Sequence, residues 1–239
     1  MRVMARGFNH YDALKWLASV TMTLDHLGVW LLPQWRGLRV IGRIAMPVFC
    51  FLAGWNGQYR FRWSLLVAAL LASATDLFLW QALPGNILWT ILLGRMLLAV
   101  LDRRVTQEKP WVMLLALLVW LPASVALTEY GSVALLWMLF GRAQRHAPGS
   151  AHASIYGLAA CFGTVGLSLL YLQFSEAEAC LTASMLLALL LGLRQLMPQM
   201  PTLRRPAWLA TGARHALSYY LVHRALLLAA RTLLASPIF

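Results

Sequence analysis

Residues 13–33 read ALKWLASVTMTLDHLGVWLLP, an apolar run that carries an aspartate and a histidine side by side. A transmembrane helix needs about 20 mostly apolar residues, so this run is long enough to cross a bilayer. An ionisable side chain at the centre of such a helix costs about 2.5–3.5 kcal/mol on insertion scales. Asp25 and His26 therefore each need a partner or a role, and the run predicts a membrane helix that contributes to a functional site.

Apolar runs like this one fill the rest of the chain. Of its 239 residues, 61% are hydrophobic and 12% are charged, and the mean hydropathy is +0.67. This composition is typical of an integral membrane protein and not of a soluble domain. We predict an all-α polytopic membrane protein, a single domain over residues 1–239 built as a helical bundle of about nine transmembrane spans, within a range of roughly eight to ten. The predicted spans are residues 13–33, 38–57, 63–83, 86–101, 110–127, 130–141, 152–174, 178–197 and 208–235.

The sixth run, residues 130–141, is short for a span. We expect it to be tilted, re-entrant or extended through Glu129. In the second run, the stretch GRIAMPVF places Pro47 four residues after Arg43. A proline in the middle of a span frees a backbone carbonyl, which is tolerated where the helix lines a cavity.

The loops between these runs carry most of the charges. Arginine-rich and lysine-rich loops face the cytoplasm in membrane proteins, and here they alternate with neutral or acidic loops. The pattern predicts a cytoplasmic N-terminus, and it explains the net charge of +12 by topology and headgroup contacts, so nucleic-acid binding is not expected. The basic segments contain Arg2, Arg6, Arg60, Arg62, Arg103, Arg104, Lys109, Arg142, Arg145, Arg204 and Arg205, and the neutral or acidic loops are residues 83–85, 128–129 and 175–178.

Two arginines depart from this rule. Arg36 and Arg39 lie in the first predicted external loop. They either contact lipid headgroups or bind a substrate, and the sequence leaves both readings open.

The ionisable residues at membrane depth are the candidates for a site. Lys15 and His26 lie eleven residues apart, which is nearly three helical turns, so they share one helix face about 16 Å apart along the axis. Asp25 points about 100° away from His26, so another chain segment must complete the site. Asp25 therefore either assists His26 through a neighbouring helix or pairs with an intramembrane arginine such as Arg43 or Arg95.

Further candidates lie in other runs. His223 near the middle of the last run and Asp76 in the third run can take part in proton transfer. His26, like His223, is alternatively a partner in an interhelical hydrogen bond. Arg43 and Arg95 can hold a phosphate or carboxylate group. The chain has no P-loop, dinucleotide fingerprint, GxSxG elbow or HExxH motif, and no metal is predicted.

Several stretches together resemble one family. LKWLASVTMTLDHLG and GRIAMPVFCFLAG in tandem, followed by PGNILWTILLG, TEYGSVALLWMLFG and YYLVHRALLL, are similar to the TraX family, and within it to the TraX-like TrbP branch. The resemblance implies N-terminal acetylation of a conjugative pilin subunit in the bacterial inner membrane, with acetyl-CoA as donor. The family also resembles membrane acyltransferases in which a basic residue, ten intervening residues and an essential histidine share the first span, and Lys15 and His26 match that spacing.

The resemblance implies roles for the candidate residues. His26 is the expected general base, oriented by Asp25 or Asp76, and His223 is a second proton-transfer group. Arg43 or Arg95 is expected to stabilise the oxyanion or the donor phosphate. The third run lacks the arginine-x-x-arginine element that such acyltransferases often use for the donor, so the identity of the donor stays open.

Other functions fit the same residues. Arg36, Arg39 and the intramembrane arginines can bind an anionic phospholipid, so transfer of phosphoglycerol from phosphatidylglycerol to pilin is an alternative. A non-enzymatic pilin maturation or assembly factor is a second alternative. A proton-coupled transporter is a third, although the chain shows no internal repeat of the kind such transporters carry.

Overall fold

The computed structural model describes residues 9–80, 86–103, 109–197, 212–213 and 215–235. These residues form helices joined by loops, so the all-helical expectation is confirmed for this part of the chain. Arg2, Arg6, Arg104, Arg204, Arg205, the side chain of Arg103 and residues 83–85, on which part of the predicted topology rests, lie outside the described residues. The helices are α1 (His10–Trp30), α2 (Arg36–Gly42), α3 (Ala45–Trp55), α4 (Trp63–Trp80), α5 (Ile87–Arg103), α6 (Pro110–Leu127), α7 (Gly131–His146), α8 (Ala151–Leu172), α9 (Glu176–Leu196) and α10 (Ala216–Ala235).

Helix length and composition are consistent with a membrane protein. Four helical segments of the described residues are long and apolar enough to cross a bilayer: Arg36–Trp55, Pro110–Leu127, Ala151–Leu172 and Glu176–Gln195. Shorter apolar helices occupy Trp63–Leu77 and Ile87–Leu101. Every predicted run contains a helix, whereas the count of nine spans and the orientation of the N-terminus stay predictions.

The second predicted run is interrupted at Arg43. Helix α2 ends at Gly42 and α3 begins at Ala45, with Arg43 and Ile44 in a turn between them. Pro47 lies in the first turn of α3, where a backbone N–H has no acceptor within the helix, so the proline costs no hydrogen bond there. The structure therefore corrects the expectation of a proline in mid-helix: the break comes before the proline, and Arg43 occupies it.

Helix α7 is a core helix. It begins at Gly131 and ends at His146, so the short sixth run is extended past Arg142 and not through Glu129. Trp137 and Phe140 are fully buried, and the Trp137 indole N–H donates to Thr164 Oγ1 of α8 at 3.0 Å. An apolar stretch of this length is typical of a helix buried inside a protein.

Several helix termini meet at one end of the bundle. Trp30 at the end of α1, Leu172 at the end of α8, Asn86 before α5 and Tyr130 before α7 all line one cavity. We call this end of the bundle the cavity end. It lies opposite the beginning of α1.

Candidate functional site

Two histidines from helices distant in sequence form the centre of the site. His26 Nδ1 of α1 lies 2.7 Å from His223 Nε2 of α10. His223 Nδ1 lies 2.9 Å from the backbone carbonyl oxygen of Tyr219, one helical turn earlier. The segment that completes the site around His26 is therefore α10.

Aromatic rings hold the two imidazoles in place. The Trp30 ring stacks on His26 with ring centres 5.7 Å apart. Tyr219 stacks on His223 at 5.3 Å, and Tyr220 contacts His223 edge-on at 5.7 Å. One hydrogen bond fixes the neighbouring turn of α1, because the Tyr219 hydroxyl lies 2.7 Å from Thr23 Oγ1.

The first charged pair joins α1 to the turn before α3. Arg43 Nη2 donates a short hydrogen bond to Asp25 Oδ2. Arg43 Nη1 also lies 3.4 Å from the Tyr130 hydroxyl, and Arg39 Nε lies 3.9 Å from Asp25 Oδ1. The approach depends on Gly42, because a Cβ atom there would collide with Asp25. Asp25 thus faces α2 and Arg43, whereas its neighbour His26 faces α10.

A second charged pair joins α4 to α10. Arg224 Nη2 donates a short hydrogen bond to Asp76 Oδ1 and a second one, of 3.2 Å, to Thr75 Oγ1. Arg224 Nη1 donates to the Tyr220 hydroxyl at 2.7 Å, and the guanidinium lies 5.4 Å from the Trp30 ring centre. Asp76 is therefore a partner of Arg224 and does not contact His26 directly.

These groups surround a cavity of about 460 Å³. His26 lines the cavity, and His223 lies behind it. Three arginines and three carboxylates contribute to the wall beside apolar and aromatic side chains, so the cavity places charged groups inside a mainly apolar bundle. The lining residues are Asp25, His26, Val29, Trp30, Arg39, Arg43, Asp76, Asn86, Val125, Glu129, Tyr130, Thr164, Leu167, Ser168, Tyr171, Leu172 and Arg224.

The three arginines differ in how accessible they are. The Arg43 and Arg224 side chains are 7% and 5% exposed, and each is paired with its own aspartate. The Arg39 side chain is 29% exposed. Of the three, Arg39 is therefore the one that an entering anionic group reaches first.

Three of the predicted site residues lie away from this cavity. Lys15 is near the beginning of α1, with its ammonium 4.6 Å from the Tyr11 ring centre. Arg95 donates to the backbone carbonyls of Gln58 and Arg60 in the loop before α4. The structure brings His26, Asp25, His223, Asp76, Arg43 and Arg39 together, and it leaves Lys15, Arg95 and Arg36 outside.

Arg36 has a structural position. Its Nε lies 2.9 Å from Glu178 Oε1, and its Nη2 donates to the Gln173 carbonyl oxygen at 2.7 Å. These contacts tie α2 to the first turn of α9 and to the loop that precedes it.

Sequence reasoning did not select Arg224, Trp30 or Glu129 as site residues. Arg224 follows His223 directly in the motif YYLVHRALLL, and its position inside an apolar run was the available signal. Trp30 gave no such signal, because a tryptophan near a span end is more commonly interfacial. Among the described residues, no three histidines, cysteines or carboxylates are grouped so that they could hold a metal ion.

The fold and the site define a class: a helical protein of membrane type with a histidine pair beside a cavity that carries charged side chains. Residues 10–230 match the family model described as TraX protein, so the chain belongs to the TraX family.

An uncharacterized protein of Rickettsia prowazekii (strain Madrid E) is 33% identical over 141 residues. The match covers 58% of this chain and 57% of that protein, so it spans little more than half of either. No solved structure matches the chain.

Proposed function

We propose that this protein is a multi-pass inner-membrane transferase that modifies a conjugative pilin subunit, and that the reaction is N-acetylation with acetyl-CoA as donor. One observation carries the proposal: the His26 ring lines a cavity whose wall includes three arginines and three carboxylates, while its Nδ1 is engaged by a second histidine, His223. Histidine is the side chain best suited to accept and return a proton near neutral pH.

The proposed reaction begins with the free acceptor amine in the cavity. The amine nitrogen attacks the acyl carbon of the donor thioester and loses its proton to His26 Nε2, so that an N–C bond forms. The C–S bond then breaks, and His26 returns the proton to the departing sulfur. Arg43 and Arg224 line the same cavity, where their charges stabilise the oxyanion that develops on the acyl oxygen.

The cavity size limits what binds there. A volume of about 460 Å³ is within the range of small-molecule sites, roughly 300–1,000 Å³. It accommodates the acyl group and the terminal residue of the acceptor. The nucleotide part of a donor as large as acetyl-CoA would lie outside the cavity.

A specific observation favours a second donor, a phospholipid. Arg39 is the accessible cation of the cavity, with 29% exposure of its side chain, and arginine holds phosphate in bidentate fashion. With the predicted orientation, the cavity end faces the outer side of the membrane, away from cytoplasmic acetyl-CoA. Transfer of phosphoglycerol from phosphatidylglycerol to pilin is therefore the alternative reaction at the same site.

The intact mass of pilin tests the proposal. We would express the pilin subunit with and without this protein in the same cells and measure its mass after purification. A gain of one acetyl group supports the acetyl donor, and a gain of one phosphoglycerol group supports the phospholipid donor. His26→Ala should abolish the gain. His152→Ala, an exposed histidine at the beginning of α8, is the matched control and should preserve it.

Two results would overturn the proposal. If the pilin mass is the same with and without the protein, while pilus assembly still depends on it, the protein acts as an assembly factor. If His26→Ala preserves the mass gain, His26 is not the base.

A further inference from the structure

The direction of the hydrogen bonds in the histidine pair follows from the structure. The Tyr219 carbonyl oxygen can only accept, so the His223 Nδ1 that lies 2.9 Å from it must carry a proton and donate. In the neutral ring, His223 Nε2 then has no proton and accepts. The atom that donates to it, at 2.7 Å, is His26 Nδ1.

The ring geometry agrees with this bond. The two imidazole planes differ by 7°, and their centres are 4.9 Å apart. This separation is close to the N···N distance plus one ring radius for each imidazole, so both nitrogens lie on the line that joins the ring centres. Because a ring N–H points outward in the ring plane, the bond from His26 to His223 is nearly linear.

We propose that His223 is a positioning residue that fixes His26 as the Nδ1–H tautomer and thereby presents a bare His26 Nε2 to the cavity. The chain runs from His26 Nδ1–H to His223 Nε2, and from His223 Nδ1–H to the Tyr219 carbonyl. The only nitrogen of the pair left without a proton or a partner in this chain is His26 Nε2. This inference rests on the proposed function, in which that atom is the base.

The same chain provides a place for the proton taken from the acceptor. When His26 Nε2 takes up this proton, its Nδ1 proton can move along the 2.7 Å bond to His223 Nε2. The positive charge then lies on His223, and the Tyr219 carbonyl still accepts from His223 Nδ1. The reverse shift returns the proton to His26, which delivers it to the leaving group. Both proton shifts use only the two histidines and the Tyr219 carbonyl oxygen.

The pair takes up one proton and not two. A second proton would place two N–H groups against each other across 2.7 Å, which removes the hydrogen bond and brings two cations together. The pair is therefore built for one proton per catalytic cycle.

The first test reads the tautomer directly and does not depend on activity. The ¹⁵N chemical shifts of ring-labelled histidine, measured on the full chain in lipid nanodiscs, distinguish protonated from unprotonated ring nitrogens. The His26 signals are assigned from their loss in His26→Asn. We expect protonated Nδ1 and bare Nε2 for His26 in the unmodified chain, and a mixture of tautomers in His223→Ala. A His26 ring protonated on Nε2 in the unmodified chain overturns the proposal, whether or not pilin is a substrate.

The second test separates positioning from a structural role. Loss of the partner that orients a metal-bound histidine typically costs about 10–100-fold. By analogy we expect His223→Ala to lower kcat for pilin modification by about that factor, with KM for pilin unchanged. His223→Gln, whose amide oxygen can accept from His26 Nδ1–H, should recover most of kcat. If both variants are equally slow, or if KM rises and thermal stability falls as kcat falls, His223 is structural and the proposal fails.

Discussion

Helices α7 and α1 both lie against several other helices, but different contacts hold them. Helix α7 packs against α3 at two glycines, where the backbones approach closely. A Cβ atom on Gly54 would collide with the Met138 carbonyl, and one on Gly141 would collide with the Phe51 carbonyl. Small residues at such crossings allow the van der Waals packing that joins helices in membranes.

Helix α1 is joined to its neighbours by polar side chains. Within four residues it supplies Thr23 to Tyr219, Asp25 to Arg43 and His26 to His223. Hydrogen bonds between membrane helices average only about 0.6 kcal/mol. These contacts therefore stabilise the bundle less than their number suggests. The comparison indicates that the packing of α7 stabilises the fold, whereas α1 supplies side chains of the candidate site.

The largest effect on stability is expected at the buried charged pair. Arg43→Gln leaves the buried Asp25 with only the longer contact to Arg39, and breaking a buried pair typically costs about 3–5 kcal/mol in free energy of unfolding. The double variant Arg43→Gln with Asp25→Asn should recover most of this loss, because two amides carry no uncompensated charge. Chemical unfolding in one fixed detergent measures all three variants.

Arg60→Gln is the control for that experiment, since Arg60 is exposed in the loop before α4. We expect it to change the free energy of unfolding by less than about 0.5 kcal/mol. If the double variant is as unstable as Arg43→Gln alone, then the charge pair itself stabilises the contact between α1 and α3, and the contrast between α1 and α7 is weaker than proposed.

The next effect is expected where α3 meets α7. Gly54→Ala forces the two backbones apart, and overpacking of this kind typically costs about 1–3 kcal/mol. Gly192→Ala on α9 is the matched control, because a Cβ atom there meets nothing within 4 Å. Thermal unfolding should show a loss for Gly54→Ala alone. If the two variants unfold at the same temperature, the approach of α3 to α7 is not close enough for an added methyl group to destabilise the protein.

The sequence predicted the helices better than the contacts between them. Apolar runs mark α1, α6 and α8 within a few residues, because length and hydropathy are local properties. The break at Arg43 was not predicted, since a proline in the first turn of a helix looks the same in sequence as one in its middle. The extent of α7 past Arg142 also depends on burial by neighbouring helices, which a local pattern does not report.

In the candidate site, too, the sequence predicted what depends on a single helix and missed what depends on contacts between helices. The 100° step along α1 correctly separated the directions of Asp25 and His26, because helix geometry fixes it. Arg43 was one of two arginines considered as the partner of Asp25, and only the tertiary structure distinguishes it from Arg95. The contact between His26 and His223 joins residues 197 positions apart, so no sequence spacing could have indicated it.

A smaller effect is expected from the hydroxyl contact beside the histidines. Tyr219→Phe removes the hydrogen bond between the Tyr219 hydroxyl and Thr23 and keeps the ring that stacks on His223. We expect a loss of about 0.6 kcal/mol in free energy of unfolding, the average for such bonds between membrane helices. A loss above about 2 kcal/mol would show that polar contacts of α1 hold the fold as strongly as the glycine contacts of α7.

The smallest effect is expected at the exposed pair of Arg36 and Glu178, whose side chains are 48% and 20% exposed. Solvent and salt screen an exposed pair, which contributes about 0–1 kcal/mol. Arg36→Gln should therefore change thermal stability little at low salt and not at all at high salt, whereas the loss in Arg43→Gln should persist at both. The two arginines lie seven residues apart, Arg36 as the first residue of α2 and Arg43 directly after its last, so burial is the main variable between them. If Arg36→Gln lowers thermal stability as much as Arg43→Gln does, then the charge of these arginines, and not their burial, determines how much each contributes to stability.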